Sequence, residues 1–303
     1  MVAPWPDNTA MTRLPTPASP MLLMLLAVLL FALMDAGLKL LAPHYPVMQV
    51  AALRGLSSLP FIVIWALASV PLASLWRVRW RLHLLRGALG VAMMAGFVYG
   101  LRELPLSTAY AITFVAPLLV TAMAGPLLHE RVGPARWWAI GLGLCGVLVI
   151  LRPSGQGMAT LGGLAILLAA VCYACGAISV RVLARHDSNQ AMVLWFMVLL
   201  SLGASALAYA DWQPLRGSDI WIIGLVGVAG SLAQVALTEA FRRGEASLIA
   251  PLEYSALLWG VLLDVLLWQV LPDALTWVGA GIIVASGFYL LRRERVHVEA
   301  EHP

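Results

Sequence analysis

The chain has 303 residues, of which 61% are hydrophobic and 11% are charged, with a formal net charge of +4. Soluble domains carry about 25% charged residues, so this composition excludes an ordinary soluble protein and favours one embedded in lipid. The basic residues lie mostly in short segments between apolar runs. That pattern is typical of membrane topology and argues against nucleic acid as a partner.

Ten apolar runs follow in chain order, each long enough to cross a bilayer as a helix. We predict an all-α integral membrane protein, because unpaired strand edges are excluded inside lipid. The predicted helices cover about 20–42, 46–70, 82–102, 105–128, 133–152, 160–184, 189–210, 217–241, 246–270 and 272–292. Residues 1–19 and 294–303 are predicted to be cytoplasmic tails, the first of them disordered.

The basic residues also predict an orientation. With both termini cytoplasmic, 14 of the 19 Lys and Arg residues fall on the cytoplasmic side, Arg86 among them. This is the asymmetry expected of a multi-pass membrane protein. The other five are Lys39, Arg54, Arg102, Arg152 and Arg216.

The chain repeats itself after about 139 residues. Trp138 and Trp277 correspond, and each opens a Gly-rich closing helix. The repeats cover 20–153 and 158–293, with five helices in each. Because five is odd, the second copy enters the membrane from the opposite side, which is the usual plan of secondary transporters.

The end of the first repeat resembles the EamA family of the drug/metabolite transporter superfamily. The matching residues are Pro117, Glu130, Arg131, Gly141 and Gly146. The stretch from Phe241 to Tyr254, which includes Pro251 and Glu253, resembles the same point in the second repeat. His129 and Gln269 depart from the family pattern, both at helix ends.

This resemblance covers nearly the whole chain from Met21 to Leu291. It implies ten helices in two EamA repeats, a location in the bacterial inner membrane, and transport of a small metabolite. It also implies that predicted helices 1, 3, 4, 6, 8 and 9 enclose a central cavity.

Glu253 and Asp264 are carboxylates within one apolar run. A charge at the centre of a spanning helix costs about 2.5–3.5 kcal/mol on insertion scales, so such a residue is expected to face a cavity. In a regular helix the two would share a face about 16 Å apart. Glu253 is a candidate proton carrier, with a helix–helix hydrogen bond as the alternative role. Asp264 is nearer the far side and is also consistent with a place at the interface.

Helix 1 offers Asp35 and Lys39 at i,i+4 spacing, which allows a local pair. Arg54 in helix 2 is predicted at the depth of Asp35, so an Asp35–Arg54 pair is the other option. Such a pair balances charge inside the membrane or faces substrate, where Arg binds a carboxylate or phosphate.

Further polar and aromatic side chains occur inside the predicted helices. Gln234 and Thr238 belong to one polar stripe with Ser231. For each aromatic residue alone, packing is favoured over contact with a planar substrate. The remaining candidate site residues are Tyr99, Tyr110, Thr113, Tyr173, Trp195 and Tyr254.

Enzymatic motifs are missing from the sequence. His129-Glu130 lacks the second His of a zinc peptidase, and there is no nucleophile elbow or P-loop. Cys172 and Cys175 are predicted to pack within a helix. We therefore predict no catalytic residue, no metal and no cofactor.

The predicted function is secondary active transport of a small metabolite, an amino acid or a similar amphipathic compound, by efflux or exchange. Uptake of a vitamin or a nucleoside-like cofactor is one alternative, and a structural membrane protein without transport is another. The predicted partners are the substrate and the lipid bilayer, with proton coupling an option and either a monomer or a homodimer.

Overall fold

The computed structural model describes residues 19–128, 133–151, 161–245, 249–272, 274, 275, 277–282, 284–286 and 289. Every regular element among these residues is helical, as predicted. The predicted tails lie outside the described residues except for Ser19. The motif positions His129, Glu130 and Arg131 also lie outside them.

The first repeat contains seven described helices, two of them short. They are α1 (Pro20–Leu41), α2 (Val47–Ser69), α3 (Leu72–Trp76), α4 (Trp80–Glu103), α5 (Leu106–Thr113), α6 (Val115–Leu128) and α7 (Pro134–Leu151). The second repeat contains α8 (Leu161–Leu183), α9 (Asn189–Ala208), α10 (Ile220–Arg243), a 3-10 helix (Ala250–Ser255), α11 (Ala256–Leu263) and a π-helical turn (Asp264–Trp268).

Seven stretches of the described chain are long and apolar enough to cross a membrane. They are α1, α2, α4, α5 together with α6, α8, α9, and α10 with the turn before it. A shorter apolar helix, Trp277–Ser286, lies within the last predicted span. A total of ten spans therefore stays a prediction.

The exposed and buried side chains are distributed as expected for a protein surrounded by lipid. Large apolar side chains on the outside, such as Ile64, Leu202 and Leu266, are 64–68% exposed. Charged side chains such as Asp35, Arg54 and Asp264 are at most 7% exposed. Because lipid accepts apolar surface and penalises charge, this distribution is the expected one for spanning helices.

The two repeats pack against each other helix by helix. α1 lies along α10, α4 along α8, and α2 along α9. A shift of about 139 residues converts α1 into α8 and α4 into α10, so the first two pairs exchange and the third maps onto itself. The packing thus has the pairing of an internal two-fold.

Glycine permits a close approach between α4 and α8. A Cβ atom on Gly96 of α4 would overlap the carbonyl oxygen of Ala165 in α8, and one on Gly100 would overlap Ile166. The Gly96-x-x-x-Gly100 motif therefore seats α4 directly against the backbone of α8.

Predicted helices 4 and 9 are not continuous. The first breaks at Phe114, between α5 and α6. Pro117 supplies the physical reason, because it has no N–H to bond the carbonyl of Thr113. The second contains the 3-10 helix with Pro251 and, further along, the π-helical turn, after which Gln269 has a φ of 55°. Irregular backbone at membrane depth is tolerated where it lines a cavity.

Candidate functional site

A cavity of about 180 Å³ lies between the two repeats. That volume exceeds the roughly 15 Å³ that one water requires, so a small organic molecule is a reasonable occupant. The six helices expected to enclose it all contribute, and Arg54 of α2 and Phe196 of α9 complete the lining. Eight of the predicted site residues line it: Asp35, Arg54, Tyr110, Thr113, Tyr173, Gln234, Thr238 and Glu253.

Most of the cavity wall is apolar. Aromatic rings and methionines line it from several helices, namely Phe31, Met34, Met93, Met94, Phe97, Phe114 and Phe196. Apolar walls with a few convergent polar groups are typical of small-molecule sites. The wall suits the hydrophobic or planar part of an amphipathic molecule.

Asp35 is held by a partner from α5. The hydroxyl of Tyr110 donates a 2.9 Å hydrogen bond to Oδ2 of Asp35, and the carboxylate is 7% exposed. Lys39, the predicted i,i+4 partner, bonds elsewhere. Tyr110 also stacks on Phe97 at a centroid separation of 6.4 Å, so its ring is oriented on two sides.

Arg54 enters the same cavity from α2 and is 2% exposed. Its Nε donates to the sulfur of Met34 at 3.2 Å, and its Cζ lies 5.9 Å from the ring centroid of Phe31. Its Nη1 has no hydrogen-bond partner. Among the described ion pairs there is none between Asp35 and Arg54, and Asp35 bonds Tyr110 instead, so the predicted direct pair is wrong.

Glu253 lies on the other wall. Its Oε1 accepts a 2.9 Å hydrogen bond from the hydroxyl of Tyr173 in α8. On α10, the side-chain amide of Gln234 donates to Oγ1 of Thr238 at 3.1 Å. These groups place proton donors and acceptors beside the apolar wall.

The broken helices meet at this cavity. Phe114, at the break between α5 and α6, packs edge-on against Tyr254 of the 3-10 helix, with centroids 5.2 Å apart. Thr113 donates its hydroxyl to the carbonyl of Ala109 at 2.8 Å, inside the last turn of α5. In secondary transporters such discontinuous helices form the substrate site near the midplane.

Five predicted site residues lie outside the cavity lining. Lys39 pairs with Asp264 at 3.2 Å, which replaces the local Asp35–Lys39 pair. Tyr254 is 4% exposed and packs on Phe114. Tyr99 lies beside Glu103.

Trp195 is the fifth. Its Nε1 donates to the carbonyl of Leu75 at 2.7 Å, and its ring packs on Trp76 and Trp80. Trp195 therefore joins α9 to the short helix α3 and has a packing role. Packing was the favoured interpretation for each aromatic residue alone.

Arg86 is a cavity residue that the charge pattern of the sequence does not identify. It was counted with the basic residues of the cytoplasmic side, but it is 4% exposed and lines the cavity. Its Nη1 donates to the carbonyl of Met192 at 2.6 Å, and its Cζ lies 4.5 Å from the ring centroid of Phe196. The available signal was its position inside the predicted third helix, which starts at residue 82.

Comparison with known proteins agrees with this architecture. The model of the EamA-like transporter family matches residues 18–152 and again 160–292. A solved crystal structure with 21% identity has a TM-score of 0.72 and covers 90% of this chain and 98% of its own, so it has the same fold.

Similar proteins include transporters with named substrates. The riboflavin transporter of Vibrio cholerae is 31% identical over 214 residues, which cover 70% of this chain and 72% of the relative. The pseudopaline exporter CntI of Pseudomonas aeruginosa is 26% identical over 249 residues, which cover 80% and 87%. Both are small-molecule transporters, and the family match spans both repeats. The chain therefore belongs to the EamA-like transporter family.

Proposed function

We propose that this transporter moves a small amphipathic metabolite across the inner membrane by alternating access, with efflux or exchange as the physiological direction. The observation that carries the proposal is the cavity at the breaks of two helices, where charged groups face an apolar wall. One cavity between two packed repeats suits a mechanism in which the repeats rock about a common site. The family match argues against a structural role without transport.

The proposed architecture is ten helices in two inverted repeats. The exchange of pairs between α1·α10 and α4·α8 supports an internal two-fold. A five-helix repeat crosses the membrane an odd number of times, so its second copy starts from the other side. This predicts an axis in the membrane plane, as in other transporters built from inverted repeats.

The two ends of the bundle differ. The cavity lining reaches Val180 and Phe241, close to the C-termini of α8 and α10, which lie on the cytoplasmic side in the predicted orientation. On α1, whose C-terminus lies on the outer side, the lining stops at Asp35. At the opposite end the hydroxyl of Tyr45 donates to Asp219 at 2.7 Å. With both termini cytoplasmic, the cavity lies nearer the cytoplasm, and polar contacts close the outer end.

The substrate class follows from the lining. Aromatic and methionine side chains suit an apolar or planar part, and the charged groups suit polar ends. The pseudopaline exporter supports export as the direction of transport. The aromatic wall and the riboflavin transporter support a vitamin-like ring compound as the substrate of the second candidate function, uptake.

We propose that Glu253 carries the proton that is coupled to transport. It is a carboxylic acid in a broken spanning segment, and Tyr173 holds it at the cavity. A group that exchanges a proton with the cavity can link substrate movement to a pH gradient.

The test is transport into proteoliposomes that contain the purified protein. Labelled riboflavin and labelled amino acids are assayed with and without an imposed pH gradient. We expect movement of at least one compound, stimulated by the gradient in the wild type and no longer in Glu253→Gln. Asp211→Asn, an exposed acid outside the cavity, is the matched control. Gradient stimulation that survives in Glu253→Gln would remove the coupling role, and no movement of any compound would contradict transport of these classes.

A further inference from the structure

We propose that Arg54 is the anion-binding group of the cavity and that the transported molecule presents a carboxylate or a phosphate to it, an inference that rests on the proposed function. Arg54 is a permanent charge inside a spanning helix, at 2% exposure. Its Nη1 has no hydrogen-bond partner. A buried donor that lacks a partner is costly, so an acceptor brought by a ligand would complete the site.

The protein itself supplies only weak partners. Nε donates to the sulfur of Met34, and thioethers are weak acceptors. Asp35 lines the same cavity, but its Oδ2 accepts from Tyr110 and the described residues show no ion pair between Asp35 and Arg54. The guanidinium is therefore oriented but not neutralised by direct contact.

Arg86 provides the contrast. It lines the same cavity, but its Nη1 already donates to the carbonyl of Met192 at 2.6 Å and its guanidinium lies over Phe196. Of these two arginines, the open Nη1 belongs to Arg54. A guanidinium offers parallel donors that match both carboxylate and phosphate oxygens, so the two anions are the shared chemical class.

The apolar side chains around Arg54 indicate which test compounds should bind there. Phe31 and Met34 lie next to the guanidinium, so the anion is expected on an apolar or aromatic body. Benzoate and phenyl phosphate have that form. Benzamide is a neutral molecule of nearly the same shape as benzoate, so the pair isolates the charge.

Binding of these three compounds to the purified full-length protein in detergent is measured by calorimetry. We expect benzoate or phenyl phosphate to bind at least about tenfold more tightly than benzamide, a difference of one decade in Kd. The tighter of the two anions assigns the substrate to the carboxylates or the phosphates. In Arg54→Gln, anion affinity is expected to fall about tenfold further than benzamide affinity.

The control is Arg102→Gln. Arg102 lies outside the cavity lining and donates to the backbone carbonyls of Ala42 and Tyr45, so the anion preference should persist in that variant. Equal wild-type affinities for all three compounds would overturn the proposal. So would a preference that survives in Arg54→Gln, or one that is lost in Arg86→Gln alone.

A second variant covers the case in which Arg54→Gln does not fold. Met34→Leu roughly conserves the volume of the side chain but removes the sulfur acceptor, which frees Nε for the ligand. The expected result is tighter benzoate binding, and unchanged or weaker binding would contradict the proposal. Binding in detergent needs no gradient, so a failure of transport in proteoliposomes would not alter these results.

Discussion

Lys39 Nζ lies 3.2 Å from Oδ1 of Asp264, a residue 225 positions away and fully buried. The same carboxylate accepts hydrogen bonds from the backbone N–H groups of Leu106 and Ser107, at 3.2 and 2.7 Å. Trp268 covers the ammonium, 4.3 Å from its ring centroid. One acid thus joins α1, the start of α5 and the π-helical turn.

Removal of the lysine charge is therefore expected to destabilise the protein. In Lys39→Met, Asp264 stays buried without its counter-ion, and breaking such a pair costs about 3–5 kcal/mol. The Lys39 side chain is 13% exposed, so the lower part of that range applies. Thermal unfolding in detergent measures the change. Lys39→Met combined with Asp264→Asn should recover part of the loss, and a single variant as stable as the wild type would refute the argument.

The Tyr110–Asp35 bond makes a second prediction. Tyr110→Phe keeps the ring against Phe97 but leaves a buried carboxylate oxygen without its donor, at a cost of about 1–3 kcal/mol. Tyr209→Phe is the matched control, because Tyr209 is 85% exposed. Equal melting temperatures for the two variants would show that the hydrogen bond contributes nothing to stability.

Close approach between α4 and α8 makes a third prediction. A valine at Gly96 would meet the carbonyl of Ala165 and force the helices apart, and overpacking of this kind costs about 1–3 kcal/mol. Gly224→Val on α10 is the control, since nothing lies within 4 Å of a Cβ there. The yield of folded protein and its melting temperature are the readouts. The packing interpretation would be contradicted if Gly96→Val kept the wild-type yield and melting temperature while Gly224→Val lowered them.

Alkaline pH tests the loop between α1 and α2. Burial, together with the nearby carboxylate of Asp219, raises the pKa of the Tyr45 phenol above its usual value of 10.0. The folded state then favours the protonated phenol, so this contribution to stability is complete below about pH 10 and is lost as pH rises through the folded-state pKa.

We therefore expect the melting temperature of the wild type to fall more steeply above about pH 10 than that of Tyr45→Phe. At neutral pH the variant should be less stable by about 1 kcal/mol, because it loses the bonds to Asp219 and to the N–H of Arg216. Parallel alkaline curves for the two proteins would exclude the role given to Tyr45.

Much of the membrane architecture could be predicted from local sequence. Runs such as Pro20–Leu41 and Ile220–Arg243 have one structure available in lipid, a helix, so their existence and approximate limits follow from composition alone. The helix break before Pro117 has a local cause as well, because proline removes a defined hydrogen bond. Membership of the family also followed from local motifs, and the family match confirms it.

The partners of the buried charges could not be predicted in the same way. Spacing allowed Asp35 to pair with Lys39 or with Arg54, but Asp35 bonds Tyr110 and Lys39 bonds Asp264. Arg86 belonged to a loop cluster by its charge, yet α9 gives it a carbonyl and a ring inside the bundle. Spacing along one helix decides which side chains share a face, whereas the packing of helices from different repeats decides what each face meets. The sequence alone therefore determined a helical membrane transporter with two repeats, and only the tertiary structure decided which of its charges are paired and which one, Arg54, has a donor left open.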